Sequence, residues 1–459
     1  MTTPPVSTAG KPALAEAANH ARTFAHLVKE GDFEEPAWLL ERRREAIGRF
    51  ERAGLPTTAD EDWRYTSLAP LARLPFKPAL HPDARGLEAA GLARLGVPDF
   101  GGSRLVFVDG VLAPALSRVE PAAGVTLAGL DDRLARDGVL IREHLARVAD
   151  AARRQPLLDL NTAFFRDGAY LHVAPGVRAP LVQLVFVSSG AGAGLTASPR
   201  NLLIVERGAE AVVVEHYAGL GGEPACTNTA CEIIAEEGAV LEHVKFQDEP
   251  DNAFHLAALE ARIARGAAYR YHSLALGARL SRTGIHAVFA GERVECILNG
   301  LYLVGDGRLA DHHMVVEHAS PRCASHEYFN GILSGAARGV FHGRILVRAG
   351  AQKTDAKQTS KHLLLSDAAQ ADAKPQLEIY ADDVKCTHGA TVGQLNDQAV
   401  FYLRSRGLGR EQARRMLVHA FAGEILERIR HAGVRSHFDR VVQERLAAVP
   451  ELAVRACHP

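Results

Sequence analysis

The sequence predicts a mainly β core flanked by helical regions at both ends. Three observations carry this. From about Leu158 to residue 393, short apolar runs recur between glycines and no helical period is present. The Gly-Ala steps at 208, 238 and 266 are spaced by about 30 residues, as coils of a solenoid would be, each burying its apolar face on a neighbour. Apolar residues return to helical spacing before this stretch and after it. Stacked solenoid coils and an array of β-sandwiches both satisfy these runs.

Composition narrows the function. The chain has 459 residues, enough for two or three domains, with 47% hydrophobic and 23% charged residues. Its net charge of -1 provides neither the basic footprint of a nucleic-acid binder nor a polybasic membrane patch. No apolar run approaches the roughly 20 residues of a membrane helix. The N-terminus lacks a cationic region followed by an apolar core, so no secretory signal is read there. Six cysteines, at 226, 231, 296, 323, 386 and 457, form no C-x-x-C pair, which disfavours a zinc knuckle and a disulfide framework. A reducing cytoplasm is the expected compartment.

In chain order, residues 1 to about 12 are rich in Pro, Ser, Thr and Gly and are expected to be disordered. Helices are expected over Leu14–Lys29 and from Pro36 to Gly54, where Trp38, Leu39, Ile47 and Phe50 share a pattern. Trp63 and Tyr65 read as packing anchors. Ser103–Ser117 reads as a hairpin turned by Asp109-Gly110, a pair suited to a type I′ turn. Asp131–Arg147 reads as helical, with Gly138 able to split it. These features suggest a mainly helical domain over 1–155, a β core over 156–393 and a helical domain over 394–459. In the last, Asn396 is expected to cap a short helix ended by Gly407-Leu408-Gly409. Arg410–Arg430 should follow as an amphipathic helix with Ala413, Leu417, Ala420, Phe421, Ile425 and Ile429 on its apolar side, supported by Glu411–Arg415 and Glu424–Arg428 pairs. Gly433 is expected to break it before a final helix.

Pro375–Gly393 is the densest chemical stretch. Leu377, Ile379 and Ala381 alternate as a strand, Asp382-Asp383 reads as a turn, and Val384, Cys386 and His388 then share one strand face. A thiolate beside an imidazole suits zinc, copper or iron–sulfur species. Two ligands do not close a metal site, so further ligands must come from elsewhere, including another chain. A second cluster comprises Asp311, His312, His313, His318, Cys323 and His326, but His312 and His313 must point to opposite faces of a strand. Cys226 and Cys231 read as packing or loop thiols, and His342 as a satisfied core or edge histidine. No phosphate loop, dinucleotide fingerprint or nucleophile elbow is found, and no catalytic residue is assigned.

The run PQLEIYADDVKCTHGATVG followed by FYLRSRGL, with DEDWRYTSL at Asp60–Leu68 and LNTAFFRDGAYLHV at Leu160–Val173, resembles the SufB/SufD family of scaffold subunits in SUF iron–sulfur cluster assembly. The resemblance covers most of the chain beyond the first fifty residues. It implies a right-handed parallel β-helix and a non-catalytic scaffold. It also implies a heterodimer with a SufB-like scaffold and two copies of a SufC-like ATPase on the C-terminal helices. A homodimer of the isolated chain is a further assembly to test. SufB-type members carry an essential cysteine in a T-Q-C-D-S segment, whereas the equivalent run here is Thr359-Ser360-Lys361-His362-Leu363; they also carry Glu where this chain has Gly389. Both departures favour the SufD side of the family. His388 first, and Cys386 second, are then the side chains offered to a transient Fe–S cluster shared with the SufB-like partner, with no closed metal site and no cluster held stably by this chain alone. The alternative is a β-helix carbohydrate-active enzyme, which needs a carboxylate or basic groove and is disfavoured by the 6% aromatic content and the absence of a signal.

Overall fold

The computed structural model describes residues 11–33, 35–80, 87–134, 136–146 and 155–452. The expected disorder of the first ten residues, the Arg147 end of the predicted 131–147 helix, and Cys457 lie outside them. The core is a parallel β-solenoid of about eight turns. The chain alternates between two sheets: Cys226–Ala235 lies in the first, Val240–Asp248 in the second, and Phe254–Ile263 in the first again. Each strand pairs in parallel with the strand one coil later. The step varies, from 26 residues (Phe254 pairs with Leu280) to 32 (Arg338 pairs with Gln370).

Turn chemistry sets the coil ends. Gly208, Gly238 and Gly266 have φ of +67°, +69° and +64°, where a side chain is strained. Their N–H groups donate to the carbonyls of Glu237, Arg265 and Glu292 in the following coil, at 2.8–2.9 Å. Asp109 and Gly110, at φ +48° and +85°, turn the predicted hairpin between Ser103–Val108 and Val111–Leu112.

The sheets are buried on both faces. Every residue of Cys226–Ala235 is buried, Thr227, Asn228, Thr229 and Glu232 included, which is why the strands show no clean alternation of apolar and polar positions. The inner faces share one core that includes Leu184, Ile233, Leu259, Tyr269 and Met314. Outside, the N-terminal helices Lys11–Glu30 and Ala37–Ala53 cover the first sheet through Phe24, Ile47 and Phe50. The C-terminal helices Arg410–Leu426 and Ala432–Ala447 cover the second through Val418, Ile425, Phe438 and Val442.

Several local expectations shift. Residues 156–164 form a helix, Pro156–Phe164, where strands were read from Leu158. It lies between the N-terminal helices and the first sheet with Leu158, Leu160, Ala163 and Phe164 buried together with the polar Asn161 and Thr162, so burial on several sides leaves no simple amphipathic pattern to read. Strands Ser103–Val108 and Val125–Gly129 extend the two sheets back into the region before residue 156. The helix expected over 131–147 is split, into Leu130–Leu134 and Gly138–His144, with Gly138 opening the second piece after Asp137. Asn396 caps Asp397–Ser405 by accepting from the N–H groups of Gln398 and Ala399. The next helix ends at Leu426, and its buried residues are Ala413, Val418, Ala422, Ile425 and Leu426; Ala420 is exposed, and Leu417 and Phe421 are half-buried. Gly433 falls inside the last helix, which His431 caps. No helix among the described residues is long and apolar enough to cross a membrane.

Candidate functional site at the open end of the solenoid

Gln370–Ile379 and Val384–Gly393 are the outermost strands of their sheets at the C-terminal end of the solenoid. The second pairs with Thr354–Leu364 on one side, and all of its residues from 387 to 393 are exposed. The following helices turn away from this end and dock on the outside of the second sheet. There Asn330 Nδ2 donates to Phe421 O at 2.9 Å, and Lys361 Nζ meets Glu424 Oε2 at 2.7 Å. Glu424 thus pairs with the sheet, while Arg428 lies over the Tyr328 ring at 3.6 Å.

Register shows where Cys386 and His388 point. Cys386 pairs with Ala356, and with Val384 and Leu377 it packs against Ile345, Val347 and Ala381 inside the last coil. Burial, reinforced by the Asp355 charge, pushes its thiol pKa up, so the thiol stays protonated without a metal. His388, next along that inward face, pairs with Gln358 and is exposed at the rim. Among the described residues a Cβ at Gly389 would meet nothing within 4 Å, so packing against them does not require a glycine there.

Beneath His388 lies a group the sequence reading missed. Glu327 and Gln358 are the two preceding rungs of the His388 column. Both are fully buried, and Gln358 Nε2 donates to Glu327 Oε2 at 2.6 Å. Burial raises the Glu327 pKa to about 8 against the opposing hydrogen bond from Gln358. A carboxylic acid that is mostly protonated near pH 7 therefore sits two strands below the exposed His388, with the Gln358 amide between them. Across the lumen, a Cβ on Gly343 would collide with the Gln358 amide, so glycine there makes room for it. The available signal was parity: Glu327 alternates with Ser325 and Phe329, which also face inward.

His362, in the run Thr359–Leu363, is withdrawn from the mouth. Its Nε2 hydrogen-bonds to Tyr302 Oη, and the Tyr302 ring crosses Gly331, where a Cβ would strike it. Burial depresses the His362 pKa to about 4.

The second histidine cluster does not converge. His312 faces inward, 3.1 Å from Ser273 Oγ and stacked on Tyr302. His313 faces outward beside His342. His318 Nε2 lies 2.9 Å from Ser325 Oγ, the Cys323 thiol donates to Gly291 O, and His326 stands 3.8 Å from Asp355. Cys226 and Cys231 are buried. Donor atoms of Cys231, Glu215 and His243 lie within 4.8 Å of one another, but the set is committed internally. Burial favours protonation of Glu215, yet His243, Lys245 and Tyr217 hold its pKa at about 2, while burial and Glu215 drive the Cys231 thiol far up. Trp63 and Tyr65 do anchor: Trp63 stacks on Arg282 at 3.8 Å, and Tyr65 lies under Arg338 at 5.6 Å.

Comparison with known proteins agrees with this architecture. The sequence profile described as "SUF system FeS cluster assembly, SufBD core domain" matches residues 186–421, and the SufBD N-terminal region profile matches 22–183. The chain is 32% identical over 440 residues to the iron–sulfur cluster assembly protein SufD of Escherichia coli K12, covering 94% of this chain and 98% of that protein. It is 30% identical over 423 residues to a SufBD family protein of Synechocystis, covering 90% and 92% of the two chains. A SufBD family protein of Mycobacterium tuberculosis is 35% identical over 266 residues, 56% of this chain and 66% of that one. With a β-solenoid open at one end and these matches along nearly its whole length, the chain belongs to the SufBD family of iron–sulfur cluster assembly proteins and is SufD-like within it.

Proposed function

We propose that this chain is a non-catalytic scaffold subunit that pairs, through its open solenoid end, with a SufB-like scaffold and presents His388 and Cys386 to a nascent cluster. The observation that carries this is the ten-residue edge strand Val384–Gly393, whose inward-facing pair lies at its own rim. An edge strand this long invites pairing with another chain unless it is shielded. Ile379, Tyr380 and Val392 add exposed apolar surface at the same end, as an interface would. The cluster is cargo: one imidazole and one thiol leave most iron sites to be filled by the partner. Phe401 and Tyr402, exposed on Asp397–Ser405, and Met416 on the next helix suit docking of a SufC-like ATPase on the C-terminal region. The test is co-expression with SufB-like and SufC-like subunits, followed by isolation of the complex and iron and sulfide analysis. A stable complex that accumulates both elements is expected. Recovery of this chain without either subunit would overturn the reading.

A further inference from the structure

A second group of ligand side chains lies on the outer face of the first sheet, away from the open-end pair. His313 and His342 occupy paired positions on the adjacent strands Leu309–His318 and Arg338–Val347. Both project outward, their ring centroids are 4.1 Å apart, and both are buried. The third member comes from 250 residues earlier in the chain, in the segment containing Trp63. That segment is clamped to the sheet by three contacts. Trp63 stacks on Arg282, Arg282 Nη2 donates to Asp62 O at 2.9 Å, and Thr66 Oγ1 donates to Asp311 Oδ2 at 2.6 Å. The clamp holds Asp62 Oδ1 3.6 Å from His313 Nε2. One donor atom from each of Asp62, His313 and His342 lies within 4.8 Å of the other two.

These separations suit one small ion. Donors at about 2.1 Å from a tetrahedral centre stand about 3.4 Å apart, close to the Asp62–His313 spacing. His342 Nε2 is 2.8 Å from Gln376 Oε1. A carbonyl acceptor there keeps the proton on Nε2 and leaves Nδ1 with its lone pair, the outer-shell arrangement that orients metal-binding imidazoles. Nearby cations are already matched, Arg282 by Asp311 and Lys374 by Glu61, which leaves the Asp62 charge facing the two imidazoles. A cavity of about 100 Å³, lined by Asp62, His313, Trp63 and Arg282 among others, adjoins the group; it has room for about three waters to complete a coordination shell.

We propose that Asp62, His313 and His342 form a binding site for a divalent first-row transition-metal ion. Two imidazoles and a carboxylate with open positions favour Fe(II), Co(II) or Zn(II) over Mg(II) or Ca(II). The ion ties the Asp62–Thr66 segment to two coils of the solenoid, so binding stabilises the folded chain by mass action.

The test uses the full chain carrying Cys386→Ser and His388→Ala, so that the open-end pair contributes no signal and failure of either proposal is seen separately. Co(II) titration should give one equivalent bound, with visible ligand-field bands and a raised Tm. His313→Gln and His342→Gln should remove both. Asp62→Asn, at an exposed side chain that leaves folding intact, should weaken Co(II) by about tenfold or more. Zn(II) should displace Co(II), and Mg(II) should not. Absence of a bound equivalent, or binding unchanged by Asp62→Asn and either histidine variant, would overturn the site.

Discussion

At the scale of single residues, the open end holds two side chains of unequal standing and one hidden acid. His388 is exposed, so His388→Ala should change stability by no more than about 0.5 kcal/mol and leave the complex assembled. Cluster absorbance and iron content of the purified complex should fall sharply. Cys386→Ser should do less harm, because its half-buried thiol is held protonated by burial. Normal cluster content in His388→Ala would remove the imidazole from the ligand set, and loss of the complex would assign it to assembly instead. Glu327 adds a pH signature. Its pKa rises from the ordinary 4.5 to about 8 in the folded chain. Between those values the unfolded chain has released this proton and the folded chain retains it. The stability Glu327 contributes is therefore complete below the lower value and lost as pH rises to the upper one, by a few kcal/mol at the limit. Glu327→Gln removes that loss, so its Tm should fall less than that of the unchanged protein across the window. Parallel Tm profiles for the two proteins would refute the shift.

At the scale of elements, the C-terminal helices are bound to the solenoid more tightly than an independent docking domain would be. Val418 is fully buried against the second sheet, Phe421 is half-buried and Ala420 is exposed. Urea denaturation should rank Asp substitutions accordingly: Val418→Asp costs about 3 kcal/mol or more, Phe421→Asp clearly less, and Ala420→Asp within about 0.5 kcal/mol. A cost for Ala420→Asp equal to that for Val418→Asp would mean the helix sits differently. Removing residues 396–459 would bare Val244, Phe246, Leu274, Leu301, Leu303 and Ile332, so that truncation is expected to aggregate. Phe401→Asp is the sharper probe of ATPase docking, since its ring is exposed and carries little folding energy. Pull-down of a SufC-like ATPase should fail with Phe401→Asp while the melting curve is unchanged; retained binding would move the docking surface elsewhere.

At the scale of the whole molecule, legibility followed the range of the interaction. Coil ends were readable because Gly208, Gly238 and Gly266 must adopt positive φ within a few residues of local chain. The shared face of Cys386 and His388 was readable because strand parity is local. The choice between solenoid and sandwich was not readable from spacing, since the coil step drifts between 26 and 32 residues and double-sided burial erases alternation. Glu327 beneath His388, and Asp62 beside His313 and His342, needed register between distant segments. The open end itself follows from that register: every coil but the last has a successor to cover its strands. An isolated chain should therefore use the Val384–Gly393 edge against a second copy of itself when no SufB-like partner is present. Ala390 lies on the inward face of that strand, opposite the buried Ser360, and is itself exposed. A lysine there places a charge where a pairing strand would bury it, the device by which natural edges avoid association. Sedimentation velocity should show the unchanged chain shifting from monomer to dimer as concentration rises, and Ala390→Lys remaining monomeric with an unaltered Tm. A monomer at every concentration for the unchanged chain, or a dimer that survives Ala390→Lys, would show that this edge does not mediate self-association.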